Sequence, residues 1–326
     1  MPMEQDLHVE LYTVAMKEEW DAFVDSSRNA TFLLRRDYMD YHSDRFTDCS
    51  LIVRHGDKPV ALLPASRHGS EARSHGGLTY GGLVLPPTSR GQEPLYWFET
   101  IASFYREMGI ERLLYKPIPH IYHRIPAEED LYALFRNDAK LICRNLATVI
   151  PMQEPIKASR LGKRAAKRAR TFGITVEETS DVSLFWDIIV NDRRERHNTK
   201  PVHTLEEMQR LHSLFPHNIR LFIARSGSDI LAGAVIFDTG RVLHLQYAAA
   251  TEEGKEKYAV DVIYHEVIFN IRPDAQWFDF GTSNEDAGRY LNEGMVAHKE
   301  EFGGRSIVYD TYSLDLRADT SGTSSR

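Results

Sequence analysis

A chain of 326 residues is too long for one ordinary core and comfortable for two of roughly 150 residues each. Its 42% hydrophobic and 27% charged residues are those of a soluble globular protein, and no apolar run approaches the roughly 20 residues that span a bilayer. The net charge of -7 argues against a general attraction to nucleic acid, and the polar N-terminus MPMEQDLHVE lacks the regions of a signal peptide, so a cytoplasmic protein is expected.

Read along the chain, one pattern occurs twice. In the first half, a strand, turn, strand pattern (LIVRHGDKPVALLPAS, from Leu51) is followed by the Gly-rich extended run GGLTYGGLVLP (from Gly76), a helical stretch around Pro94 to Met108, the strand ERLLYKPIP and a final strand LATVIPM. In the second half, LFIARSGSDILAGAVIFD (from Leu221) is followed by RVLHLQYAAA, a helical stretch around Lys257 to Ile271, the strand QWFDFG and a final strand SIVYDTYSL. Two copies of one mixed α/β unit are therefore predicted, over 1–152 and 153–316. A polar tail, 317–326, has nothing to bury and is expected to be disordered.

Pro151 and Pro155 mark the boundary, and a cationic helix follows it. Between Lys157 and Arg170 (KASRLGKRAAKRAR) seven residues are basic and none is acidic. Arg160, Arg164 and Arg168 fall on one line of that helix and Lys163, Lys167 and Arg170 on another. The face is either simply solvated or binds phosphates of a cofactor or nucleic acid. Two short helices joined by the polar connector HNTKPVHT are expected over 181–214.

In the second half, apolar residues at Val260, Ile263, Tyr264, Val267 and Ile268 have helical spacing, so Thr251 to Lys257 reads as a strand-to-helix turn. The N–H groups of such a turn suit pyrophosphate; Gly254 permits close approach, and Lys255 and Lys257 add charge. Strand alternation puts His244, Gln246 and Ala248 on one face and Leu243, Leu245 and Tyr247 on the other. Asp279, between Phe278 and Phe280, is turned away from the aromatic pair and can act as a base if burial raises its pKa. Each has a plainer reading, as a core histidine and a loop-bracing aspartate. Cys49 and Cys143 have no metal spacing and are expected as reduced thiols. No HExxH, GxSxG or paired CxxC points to a zinc or nucleophile-triad hydrolase, and no metal is expected.

The tandem repeat, the basic helix followed by TFGITVEE, the strand LHLQYAAA and the segment FDFGTSNEDAGRYLNEGMVAHKEEFGGR resemble the FemAB-like double-GNAT acyltransferases, relatives of the peptidoglycan bridge-forming aminoacyl ligases. The resemblance implies an N-acyltransferase built of tandem GNAT-like units, each a mixed, mostly antiparallel sheet flanked by helices. It implies an acyl-CoA donor in the second unit and a small-molecule or peptide amine acceptor between the units. The aminoacyl-tRNA ligases carry a long helical arm that has no counterpart between Val176 and Arg220, which disfavours tRNA as donor. An aminoacyl-tRNA-dependent ligase that extends a peptidoglycan peptide is the second reading, and a non-catalytic binding module on the same fold is the third.

In such folds two central strands part where the acyl thioester lies, and their ends supply the chemistry. The resemblance thus places Gln246, Tyr247, Ala248, Gly254, Lys255, Lys257, Tyr258, Ser283 and Asn284 around the donor, with His244 and Asp279 as catalytic candidates. Lys299 of the Lys-x-x-Phe-Gly pattern is expected to face the substrate groove. Tyr290, in a Tyr-x-x-x-Gly-Met string, competes for the same helix end as the acid that protonates a thiolate. In the first unit, His75, Tyr80, Gly81 and Gly82 are expected to line the substrate cleft.

Overall fold

The computed structural model describes residues 6–153, 160–197 and 199–317. In chain order the first elements are β1 (Leu7–Leu11), α1 (Lys17–Ser26), α2 (Arg36–Met39), β2 (Thr47–Asp48), β3 (Leu51–His55), β4 (Lys58–Leu63), β5 (Ser66–His68), β6 (Glu71–Arg73), α3 (Glu93–Glu107), β7 (Arg112–Tyr115), α4 (Glu129–Arg136) and β8 (Lys140–Pro151). Next come α5 (Arg160–Phe172), β9 (Ile174–Thr179), α6 (Ser183–His197), α7 (Leu205–Leu214), β10 (Ile219–Ser226), β11 (Asp229–Asp238) and β12 (Val242–Ala250). The last are α8 (Glu252–Glu256), α9 (Ala259–Glu266), β13 (Trp277–Thr282), β14 (Asn284–Glu285), β15 (Tyr290–Leu291), α10 (Glu293–Glu301) and β16 (Arg305–Asp315). The chain splits into two compact units, Met1–Arg144 with Tyr309–Arg326, and Asn145–Val308, so both divisions fall inside strands.

In the first unit, β1, β3 and β4 form an antiparallel sheet, and β6 pairs in parallel with β7. Helix α3 presents Phe98, Ile101 and Tyr105 to Leu113, Tyr115 and Leu314, because these residues recur at helical spacing on one side and at alternate strand positions on the other. The Gly-rich run does not form the strand that its extended pattern suggests. It touches a ladder at one bridge, Leu62 with Val84, and the parallel partner of β7 is instead the short β6, which no long apolar run announces.

In the second unit the strand order is β8-β13-β12-β11-β10-β9, antiparallel except for the pair β12 and β13. Helix α9 packs Val262 and Ile263 into a core with Phe222, Ile236, Phe278 and Phe302. Helix α7 starts as its sequence dictates: the Thr204 hydroxyl accepts from Glu207 N–H while the Glu207 carboxylate accepts from Thr204 N–H. The cationic stretch 157–170 is helical from Arg160 on; Lys157 to Ser159 lie outside the described residues, as do the side chains of Arg160 and Lys163 and the tail from 318. Both cysteines are free, Cys49 buried. Among the described residues no helix is long and apolar enough to cross a membrane, and no group of His, Cys, Asp and Glu could hold a metal.

Candidate active site

The site is built where β12 and β13 part. Their parallel ladder pairs Val242 with Trp277, Leu243 with Phe278 and His244 with Asp279, and ends there. Immediately beyond, both strands carry a bulge. On β12, Leu245 stands opposite Ile236 and Tyr247 opposite Val235, which leaves Gln246 as the extra residue. On β13, Asp279 stands opposite Val149 and Thr282 opposite Ala147, so Phe280 and Gly281 share one place, with Gly281 at φ +71°. A bulge bends its strand and strengthens the local twist, and two of them on adjacent strands separate the pair. Gly281 is favoured there because the left-handed backbone disfavours other residues.

The bulge at Gln246 also corrects the expected faces of β12. Strict alternation would join Ala248 to His244, but the extra residue shifts the phase by one. Leu243, Leu245 and Ala248 pack into the core with α9, while Tyr247 meets Trp186 edge-on and bonds His203 Nδ1 at 2.8 Å. His244 and Tyr247 are thus the residues that share a face.

His244 Nδ1 lies 2.7 Å from Asp279 Oδ2, and Asp279 Oδ1 accepts the Gly281 N–H at 2.7 Å. Asp279 is 0% exposed, so its carboxylate is held between two donors without competing water. A carboxylate on Nδ1 fixes the imidazole tautomer with its proton there, which leaves Nε2 as the basic nitrogen. Nε2 has no hydrogen-bond partner among the described residues. The arrangement can accept a proton.

Lys299 completes the constellation through the same backbone. Its Nζ donates to Gly281 O (2.9 Å), Thr282 O (3.0 Å) and Ser283 Oγ (2.8 Å), so all three ammonium protons are engaged by the end of β13. The resemblance led us to expect this lysine facing the groove; here it is buried at 6% exposure and braces the strand end. Burial pushes its pKa down to about 8, opposed by the nearby Asp279 carboxylate. His244, Asp279, Ser283 and Lys299 are therefore one connected group. Asn284 is tied elsewhere, its Oδ1 accepting from Leu146 N–H. Tyr290 is 58% exposed on the β14 and β15 hairpin, apart from the His244 and Asp279 pair.

The strand-to-helix turn differs from its expected form. A short helix, α8, fills Glu252–Glu256, and the Gly254 N–H is capped by Thr251 Oγ1 at 3.0 Å. A Cβ on Gly254 would lie 2.0 Å from the Leu231 carbonyl oxygen. Gly254→Val is accordingly expected to destabilise the fold by about 3 kcal/mol or more, read as a lowered unfolding midpoint in denaturant. Lys255 and Lys257 are paired with Glu252 and Glu253. The long helix starts only at α9, after Tyr258 in the left-handed conformation at φ 56°. There the backbone N–H groups of the first turn lack helical acceptors. Around that start stand residues the sequence reading did not single out as a group: Arg168, whose guanidinium lies 3.3 Å from the Tyr258 ring centroid, and Asp261, held by Arg168 (3.5 Å) and His298 (3.1 Å). Of these, Arg168 carried a signal as part of the cationic run and Tyr258 as a residue placed around the donor.

In the first unit the corresponding gap is filled by the protein itself. After β6, Ser74 N–H donates to Leu114 O, and Gly81 N–H donates to Lys116 O, so the glycine run folds back along β7. A Cβ on Gly81 would lie 2.3 Å from the Ser74 carbonyl oxygen, and Gly82 adopts φ +85° beside the Tyr115 hydroxyl. Tyr80 is buried, its hydroxyl 2.8 Å from Thr31 Oγ1, and His75 is buried beside His42.

Residues 157–290 match the family model described as an acetyltransferase (GNAT) domain. Among solved structures, FemX is similar with a TM-score of 0.67 at 12% identity, over 94% of this chain and 97% of that one. The C-terminal domain of a putative lysylphosphatidylglycerol synthetase from Agrobacterium fabrum is similar with a TM-score of 0.61 at 12% identity, over 94% of this chain and 93% of that one. A tandem GNAT protein from the clavulanic acid biosynthesis pathway gives 0.50 at 12% identity, over 96% of this chain and 99% of that one. No curated protein sequence matches. The chain has a FemAB-like fold of the GNAT superfamily.

Proposed function

We propose that this FemAB-like chain is an N-acyltransferase whose second unit takes the acyl donor at the gap between β12 and β13, with His244 as the general base. The observation that carries the reading is the His244 and Asp279 pair, set where the two strands cease to pair. The amine nitrogen attacks the acyl carbonyl carbon, and its proton passes to His244 Nε2. The bond from the carbonyl carbon to the leaving sulfur or oxygen then breaks, and the leaving group takes up a proton. Gln246, outside the β12 ladder, offers main-chain groups that the sheet does not use, suited to the developing oxyanion. That the first unit closes its own gap with backbone favours the second as the donor unit.

Acyl-CoA is the donor we favour, seated at the start of α9 rather than on Gly254. The GNAT family match over 157–290 supports it. One observation favours the aminoacyl-tRNA reading instead: Arg164, Lys167 and Arg170 on α5 are exposed with no ion pair among the described residues. The salt dependence of donor binding separates the two. Acyl-CoA brings few phosphates, so a shallow slope of log affinity against log salt is expected, whereas a tRNA gripped by α5 would give a steep slope that flattens in an Arg164→Gln, Lys167→Gln, Arg170→Gln variant.

A further inference from the structure

The glycine run of the first unit is held by two buried imidazoles. His42 is 2% exposed, and neither of its ring nitrogens has a hydrogen-bond partner among the described residues. His75 is 3% exposed, sits at φ 45°, and leaves Nδ1 without a partner. The two rings lie 5.3 Å apart, with the Phe46 ring 4.9 Å from His42 and 6.0 Å from His75. A buried polar atom without a partner is costly in any state, and far costlier once the ring is charged.

The run is packed directly on this pair. A Cβ on Gly77 would lie 2.2 Å from His42 Nε2, so the backbone itself covers the ring. Gly76 N–H donates to Ser66 Oγ, which in turn bonds His68 Nε2 at 3.1 Å. The charged surroundings oppose protonation. Arg45 and Asp44 act on His42, with the arginine the larger; His75 faces His42, Arg36, Lys116 and His68 with no carboxylate among them. Arg36 is itself paired with Asp40 and Asp48, and His68 lies near Arg73 and Glu71.

We propose that His42 and His75 form an acid-sensitive latch: with both rings neutral the His75 to Gly82 segment stays packed, and protonation of the rings releases it. Burial holds His42 at about 4 and His75 at about 3, both below the ordinary 6.5 of histidine. The packed state therefore binds fewer protons than the released one. Its stability is fully present above about pH 6.5 and is lost as pH falls below that value.

The test is amide hydrogen exchange of the whole chain between pH 7 and pH 5, corrected for the intrinsic pH dependence of exchange. If the released rings regain their ordinary affinity for protons, protection of 75–82 should fall by about 25-fold for one ring and several hundred-fold for both, while the α9 core stays protected. His42→Phe, which keeps an apolar ring, should reduce the response to that of a single imidazole; His75→Asn, which tolerates the left-handed backbone, should do the same. Should either variant fail to fold, ring titration by NMR in the unaltered protein decides instead. Two rings titrating well below 6, together with the amides of 75–82, support the latch. Rings titrating near 6.5, or protection that does not change with pH, overturn it.

Discussion

Replacing Asp279 by Asn should lower acyl transfer by about 100-fold to 10,000-fold with the fold retained. Asn keeps the shape and can still accept the Gly281 N–H, but it offers an amide where His244 Nδ1 needs a carboxylate. The imidazole is then free to take the other tautomer, with its proton on Nε2, and can no longer accept one from the amine. His244→Gln should fall by a similar factor, and the double variant should be no worse than the poorer single, because both changes disable one base. Steady-state kinetics on the four proteins measures this. Losses that multiply in the double variant would mean two independent roles.

Lys299→Met is expected to act on both stability and turnover. It removes the donor from Gly281 O, Thr282 O and Ser283 Oγ, of which only the Ser283 hydroxyl is buried, at a cost of about 1–3 kcal/mol. It also releases the end of β13, whose Gly281 N–H positions Asp279, so turnover of the folded fraction should fall by roughly 100-fold. Lys299→Arg should not restore it, since a planar fork cannot meet three acceptors arranged around a point charge. Since burial sets the lysine at about 8, the ammonium is present below that pH and is lost above it. Turnover of the unaltered protein should therefore decline as pH rises through about 8, and that limb should vanish in Lys299→Met.

The sequence carried the repeat, the helices and the central strands because each shows its own period: Val260, Ile263, Tyr264 and Val267 for α9, and the apolar runs of β10 and β11. The residues proposed for the site, His244, Asp279, Ser283 and Lys299, all stand on segments that the family resemblance marks. What the sequence did not carry is how those residues meet. The phase of β12 changes at Gln246 because of its register with β11, which lies in pairing across strands and not in the run LHLQYAAA. Gly254 reads as a phosphate-binding glycine in sequence, yet its missing Cβ makes room for the Leu231 carbonyl, a contact set by chain elements far apart. The meeting of Asp261 with Arg168 and His298 joins three helices and leaves no local pattern at all.

The central claim is that the second unit transfers an acyl group from acyl-CoA to an amine with His244 as base. The most direct test is release of free thiol from acetyl-CoA by the full-length protein across a panel of primary amines and amine-terminated peptides, with Asp279→Asn alongside. The account predicts amine-dependent thiol release by the unaltered protein, with acylated amine formed in equal amount, and a loss of at least about 100-fold in the variant. Equal rates in the two proteins would contradict it, as would no thiol release with any amine while charged tRNA is deacylated in an amine-dependent way.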